Sequence, residues 1–184
     1  MSLEFKRVVT RLDENGKSVC AEDAPIVPII SAAMPGVGFY KVWGVDDEQS
    51  APVRELAPVH DPFFPPRHGN RFIIVVFPPD SEKHEITMSS EEIQADAEAV
   101  SPGLLGVFEP DNPGFHRTVS IDYDFVLEGE LYLELDGGKE VRLPAGTSIV
   151  MNGTRHAWRN KSDKPAKLLA VVLGAKGADE GAPQ

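Results

Sequence analysis

Between His116 and Asn160 the chain reads HRTVSIDYDFVLEGELYLELDGGKEVRLPAGTSIVMNGTRHAWRN, a succession of short segments broken by glycine turns. Within the segments polar and apolar residues alternate, which is the pattern of strands that turn one face to a core. Gly129, Asp136-Gly137-Gly138, Pro144-Ala145-Gly146 and Asn152-Gly153 interrupt it at hairpin intervals. Short strands at this spacing close into a sandwich or a barrel.

The rest of the chain supplies more strands and one helix. Residues 5–11 and 17–22 flank Asp13-Glu14-Asn15-Gly16 and predict an opening hairpin. A connection spaced by Pro25, Pro28 and Pro35 leads to a strand at Phe39-Tyr40-Lys41-Val42-Trp43. The segment HDPFFPPRHGN has too many prolines for an interior strand and reads as loop or extended edge. Arg71 to Phe77 is almost continuously apolar and predicts a strand buried on both faces. Ser89 precedes Glu91 and Glu92 and predicts a helix that ends before Ser101-Pro102-Gly103; its acidic run reads as a solvated face. From residue 104 onward everything is strand and turn, ending on a strand from Ala166 to Leu173 and a small, polar tail expected to be disordered. No break in composition divides the chain. The expectation is one all-β structural domain: residues 1–103 as an N-terminal strand and loop extension packing on the barrel, 104–174 with the core motifs, and 175–184 as tail.

Charge narrows the partners. A net charge of -11 argues against nucleic acid and anionic membranes, which select basic surfaces. No apolar run is long enough to span a bilayer, and the N-terminus lacks the apolar core of a signal peptide. The single cysteine, Cys20, excludes an internal disulfide and reads as a small buried hydrophobe in a reducing, cytoplasmic compartment.

The two histidines that bracket the patterned region fall into recognisable settings. Gly129 closes the first, inside the phrase FVLEGEL; Gly153, His156 and Asn160 form the second. In this wording the region resembles the two sequence motifs of the cupin superfamily, and more narrowly single-domain cupins of bacteria and fungi, some of them oxidoreductases. His116 stands at the family's first histidine, Thr118 at its second, and Asp122 at its glutamate. Pro110 replaces the opening glycine, Met151 replaces the proline of the second motif, and the lead-in from Gly146 is one residue short.

The resemblance implies a double-stranded β-helix, or jelly roll, holding a divalent metal. Its ligands would be His116, Asp122 and His156: two imidazoles and a carboxylate, the set of a facial triad with open positions. Such a set suits Fe(II) first, with Mn, Ni, Co or Zn as other occupants. Strand parity places Asp124 on the face of Asp122, as a proton shuttle or spare ligand. Parity also puts Thr118 with His116, and Trp158 with His156 as an apolar wall for a substrate. Phe115, Phe125 and Tyr132 read as core or interface, and Arg117 and Arg155 as surface or interface groups. His60, His68 and His84 read as solvated, with His68 in reserve as a ligand. The function so implied is a metal-dependent enzyme for a small organic molecule, by oxygen-dependent oxidation. Redox-neutral isomerisation, dehydration or decarboxylation, and ligand binding without chemistry, are the alternatives. By the same resemblance the protein is expected to form a homodimer.

Overall fold

The computed structural model describes residues 5–82 and 88–177. His84 and residues 178–184 of the tail lie outside them. Among the described residues ten strands form three antiparallel sheets. The first is a hairpin of β1 (Lys6–Leu12) and β2 (Ser18–Pro25). The second is five-stranded and draws on both halves of the chain: β3 (Gly38–Val45), β4 (Asn70–Phe77), β5 (Ser120–Glu128), β8 (Ser148–Met151) and β10 (Ala166–Gly174). Its order is β3-β4-β10-β5-β8. The third, β7-β6-β9, contains β6 (Glu130–Leu135), β7 (Lys139–Pro144) and β9 (Ala157–Arg159). The larger sheets enclose the core of a jelly roll.

Two apolar clusters fill the interior. Phe39, Phe63, Ile73, Val75 and Leu104 pack at one end, and Val126, Leu131, Leu133, Leu143 and Met151 at the other. Gly129 makes the tight turn between β5 and β6 possible. Its φ is 77°, and a Cβ there would lie 2.9 Å from the backbone of Pro165 and Ala166. The helix α1 (Ser90–Val100) begins as its sequence predicts: Ser89 and Glu92 form a reciprocal capping box. Its acidic face is not wholly solvated, because Asp96 accepts hydrogen bonds from Ser31 Oγ and the Ala32 amide at 2.7 and 2.8 Å.

The proline-rich loop is held over the barrel by a buried cation. The Arg71 guanidinium donates to the carbonyls of Pro62, Val45 and Asn70 and to Asp46. The Phe63 amide adds a bond to the Pro102 carbonyl, and Pro66 passes so close to Gly174 that a Cβ there would stand 1.8 Å from its carbonyl oxygen. This path turns Phe63 and Phe64 inward.

The expectation for β4 holds in part: outward-facing Ile74 is buried like inward-facing Ile73 and Val75, while outward-facing Phe72 and Val76 are half-buried, because the β1–β2 hairpin covers that surface incompletely. Two other expectations need correction. His60 is not solvated but half-buried, with its Nδ1 shielded from solvent. Cys20 is exposed, since a two-stranded sheet has no second layer to bury it. Among the described residues no helix is long and apolar enough to cross a membrane.

Candidate functional site

β5 turns Ser120, Asp122, Asp124 and Val126 into the barrel, and all four are buried. Facing them, His116 and His156 lie on two segments paired through their own backbones. The His116 amide donates to the His156 carbonyl at 2.9 Å, and the reverse bond is 3.1 Å. This pairing sets the imidazoles side by side, with ring centroids 4.3 Å apart.

Both histidines are oriented alike. Each Nδ1 meets the carbonyl two residues earlier, Gly114 for His116 at 3.1 Å and Thr154 for His156 at 2.8 Å. A carbonyl accepts only from a protonated nitrogen, so each neutral ring keeps the lone pair on Nε2. Burial lowers the pKa of both rings, and the neighbouring His116 adds to the effect on His156, which falls to about 4. The carboxyls shift upward instead. Burial raises Asp122 to about 6, and burial together with the charge of Asp122 raises Asp124 to about 8. At neutral pH the wall therefore offers two uncharged imidazoles and a protonated Asp124. Asp122 Oδ1 is buried without a hydrogen-bond partner.

These groups line a cavity of about 120 Å³ whose remaining walls are apolar. Phe39, Phe63, Phe64, Phe77 and Phe108 contribute rings, Trp158 closes one side, and Ala170 and Val172 form the floor between Asp122, Asp124 and β4. Phe108 packs on His116 at 4.7 Å between centroids, and Trp158 meets His156 edge-on at 5.6 Å. No lysine or arginine is among the lining residues.

The structure thus brings His116, Asp122, Asp124, His156 and Trp158 into one cavity. Thr118 is not part of its wall; it is buried nearby, its hydroxyl accepting a bond from Ser120 Oγ at 2.8 Å. Residues 117–119 are not strand and Val119 lies in a bend, so parity does not carry from His116 to Thr118. His68 lies outside the lining as well, in a tight turn with φ 73°. Phe125 points outward, Phe115 stacks under the Arg155 guanidinium at 3.9 Å, and Arg155 pairs with Glu109 and Asp136. The phenylalanines at positions 39, 63, 64 and 108 carry no motif; only the inward turn of the proline-rich loop and of the 104–108 segment reveals them.

Metal binding can be tested against this geometry. Two neutral imidazoles with tied Nδ1 and free Nε2 fit as ligands, and the unpartnered Asp122 Oδ1 has the chemistry of a third. Among the described residues no three His, Cys, Asp or Glu side chains converge on one point that could hold a metal. The fit is therefore to the histidine pair, with Asp122 as the available third donor.

Known proteins match the same region. Residues 108–172 match the Cupin domain family. Oryzines biosynthesis cluster protein J of Aspergillus oryzae is 45% identical over 65 residues, 35% of this chain and 36% of that protein. Phomopsin biosynthesis cluster protein C' of Diaporthe leptostromiformis is 47% identical over 62 residues, 33% of each chain. The cupin-domain-containing oxidoreductase virC of Hypocrea virens is 36% identical over 64 residues, again 33% of each chain. The chain spans about a third of the length of these curated relatives.

Proposed function

We propose, of a chain whose residues 108–172 make it a cupin-domain protein, that the barrel cavity is the active site of a metal-dependent enzyme acting on a small organic molecule. The observation that carries this reading is the histidine pair, two buried neutral rings with free Nε2 atoms in a cavity that they share with Asp122, Asp124 and apolar groups. His116 and His156 would hold the metal, with Asp122 as third ligand. A divalent ion there, Fe(II) before Mn, Ni, Co or Zn, supplies Lewis-acid character and, if iron, a means of using dioxygen.

The chain's own residues do the rest. The phenylalanines and Trp158 exclude water and strengthen each polar contact inside. Asp124 holds a proton at its carboxyl and stands where it can donate to a bound oxygen. Oxidation is supported by similarity to proteins named oxidoreductases. A redox-neutral isomerisation, dehydration or decarboxylation is favoured by the protonated Asp124, a group that oxidation does not require.

Metal analysis of the purified chain beside His116→Ala and His156→Ala decides the first point. Near-stoichiometric metal lost in both variants is expected. Failure of the wild type to take up iron, manganese, nickel, cobalt or zinc on anaerobic reconstitution overturns the reading. Oxygen consumption during turnover separates the two chemistries.

The reading includes a cytoplasmic homodimer. Across the outer face of the five-stranded sheet Val150, Tyr123, Val171, Phe72 and Trp43 stand in one register row, with no charged side chain between them. The β1–β2 hairpin covers the Trp43 end, while Tyr123 and Val150 remain exposed. A second copy is the occupant that charge favours, because two chains of net charge -11 meet with least repulsion through a neutral patch. Light scattering on the eluting protein gives the mass, and a monomer at all concentrations removes the proposal.

A further inference from the structure

The polar groups of the cavity are gathered on one side, and their arrangement limits what the other side can hold. Along the inner face of the large sheet the side chains run from Asp124 on β5 to Ala170 on β10 and Ile73 on β4, residues paired in register, with Phe39 on β3 beyond them. Ala170 is the smallest of these. Its methyl takes less space than the branched or aromatic groups at the surrounding positions, and the acids and the phenylalanines line the same cavity on either side of it. Phe63 lies edge to face with Phe64 and with Phe39, at centroid distances of 5.0 and 5.3 Å.

Size and charge then follow from the walls. A cavity of about 120 Å³ is close to the apolar cavity of about 150 Å³ that accepts benzene. Its size matches one six-membered ring with a short substituent. The lining contains no Lys, Arg, Ser, Thr or Tyr, so charge compensation is confined to His116, His156, Asp122 and Asp124, and the Trp158 indole N–H is the one further side-chain donor of the lining. A charged group at the phenylalanine end would be buried without a partner, at a cost of several kcal/mol.

Building on the proposed active site, we infer that its substrate is a single-ring molecule with an uncharged ring body seated on Ala170 between the phenylalanines, presenting one hydroxyl or carbonyl oxygen to the histidine and aspartate wall. Ala170 is the residue that sets ring size. Direct ring contact comes from Phe39, Phe63 and Phe108.

Titration calorimetry on the full chain tests this with three probes that share one head group: benzyl alcohol, 2-naphthylmethanol and 4-(hydroxymethyl)benzoate. Each is run on chelator-treated protein and again after metal reconstitution. Benzyl alcohol is expected to bind in both states. The naphthyl and carboxylate probes are expected to bind more than ~10-fold more weakly, since burying an unpaired charge or overfilling the cavity costs more than one decade of affinity. Ala170→Leu is expected to abolish benzyl alcohol binding. Should that variant fail to fold, the probe series on the wild type decides alone. Equal affinity for the naphthyl probe overturns the size limit, equal affinity for the carboxylate overturns the uncharged ring body, and no binding of benzyl alcohol overturns the inference whole. Metal uptake in the same samples is a separate readout: ring binding without metal uptake sinks the enzyme reading and leaves this inference standing, and metal uptake without ring binding does the reverse.

Discussion

The two faces of β5 are inverted relative to what water alone would select. Inward go Ser120, Asp122 and Asp124, all buried; outward go Tyr123, Phe125 and Leu127, which are 52%, 38% and 39% exposed. On β10, its neighbour, the inner face is Leu168, Ala170 and Val172, the ordinary choice for a barrel interior. One strand thus serves packing while the strand hydrogen-bonded to it carries buried acids at a cost in desolvation. Under the proposed function the buried carboxyls serve the active site, and the apolar outer face is the proposed contact surface.

The sharpest way to break this comparison is to exchange the chemistry of adjacent residues. Val126→Asp puts a charge against Leu131 and Leu168 in the fully buried second cluster. It is expected to cost ~4 kcal/mol or more and to leave little folded protein by circular dichroism. Leu127→Asp, one residue on but facing out, is expected to cost ~0.5 kcal/mol or less in dilute monomeric sample. Equal losses would mean that the faces are not distinct.

Next in size is the pH dependence of metal-free protein. The Asp124 carboxyl is raised from 3.8 to about 8 in the fold. The folded state therefore holds its proton where the unfolded chain has lost it. Stability from this group is full below the ordinary carboxylate value and is lost as pH climbs toward 8. His156, lowered from 6.5 to about 4, acts oppositely, favouring the fold as pH rises through that interval. Asp124→Asn isolates the first effect: urea midpoints at pH 5 and pH 8.5 are expected to bring the variant above wild type at the higher pH by ~3 kcal/mol, and no divergence with pH would refute the burial cost.

Smallest in stability is the outer face. Tyr123→Lys is expected to leave the melting temperature of a monomer almost unchanged and to halve the mass of a dimer in light scattering. A dimer of unchanged mass would move the interface elsewhere.

Much of this was legible in the chain. Alternation from Ser120 to Phe125 is enough to assign Asp122 and Asp124 to one face, and the glycine turns place β5 to β8 close to where they stand. Parity failed at Thr118 because it was applied to residues 117–119, which are not strand. The aromatic walls were hidden for another reason. Phe63 and Phe64 sit in a segment whose prolines forbid a strand, and what turns them inward is Arg71 gripping the Pro62 carbonyl, a contact no local pattern announces. The exposed Cys20 and the half-buried Phe72 and Val76 share a cause: burial of the hairpin side depends on how much of the sheet it covers.

The position of β10 has a consequence for how the molecule comes into being. It is the most C-terminal strand described, yet it lies at the centre of its sheet, between β4 and β5. During synthesis both neighbours are complete well before residues 166–174 leave the ribosome, and each waits with an unpaired edge and an open apolar surface. Closure of the barrel, the floor under the acids and the pairing of the two halves arrive together with that one segment. Folding of the barrel is accordingly delayed until residues 166–174 have been made, and the edges of β4 and β5 are what a chaperone or a misfolding partner would meet in the meantime.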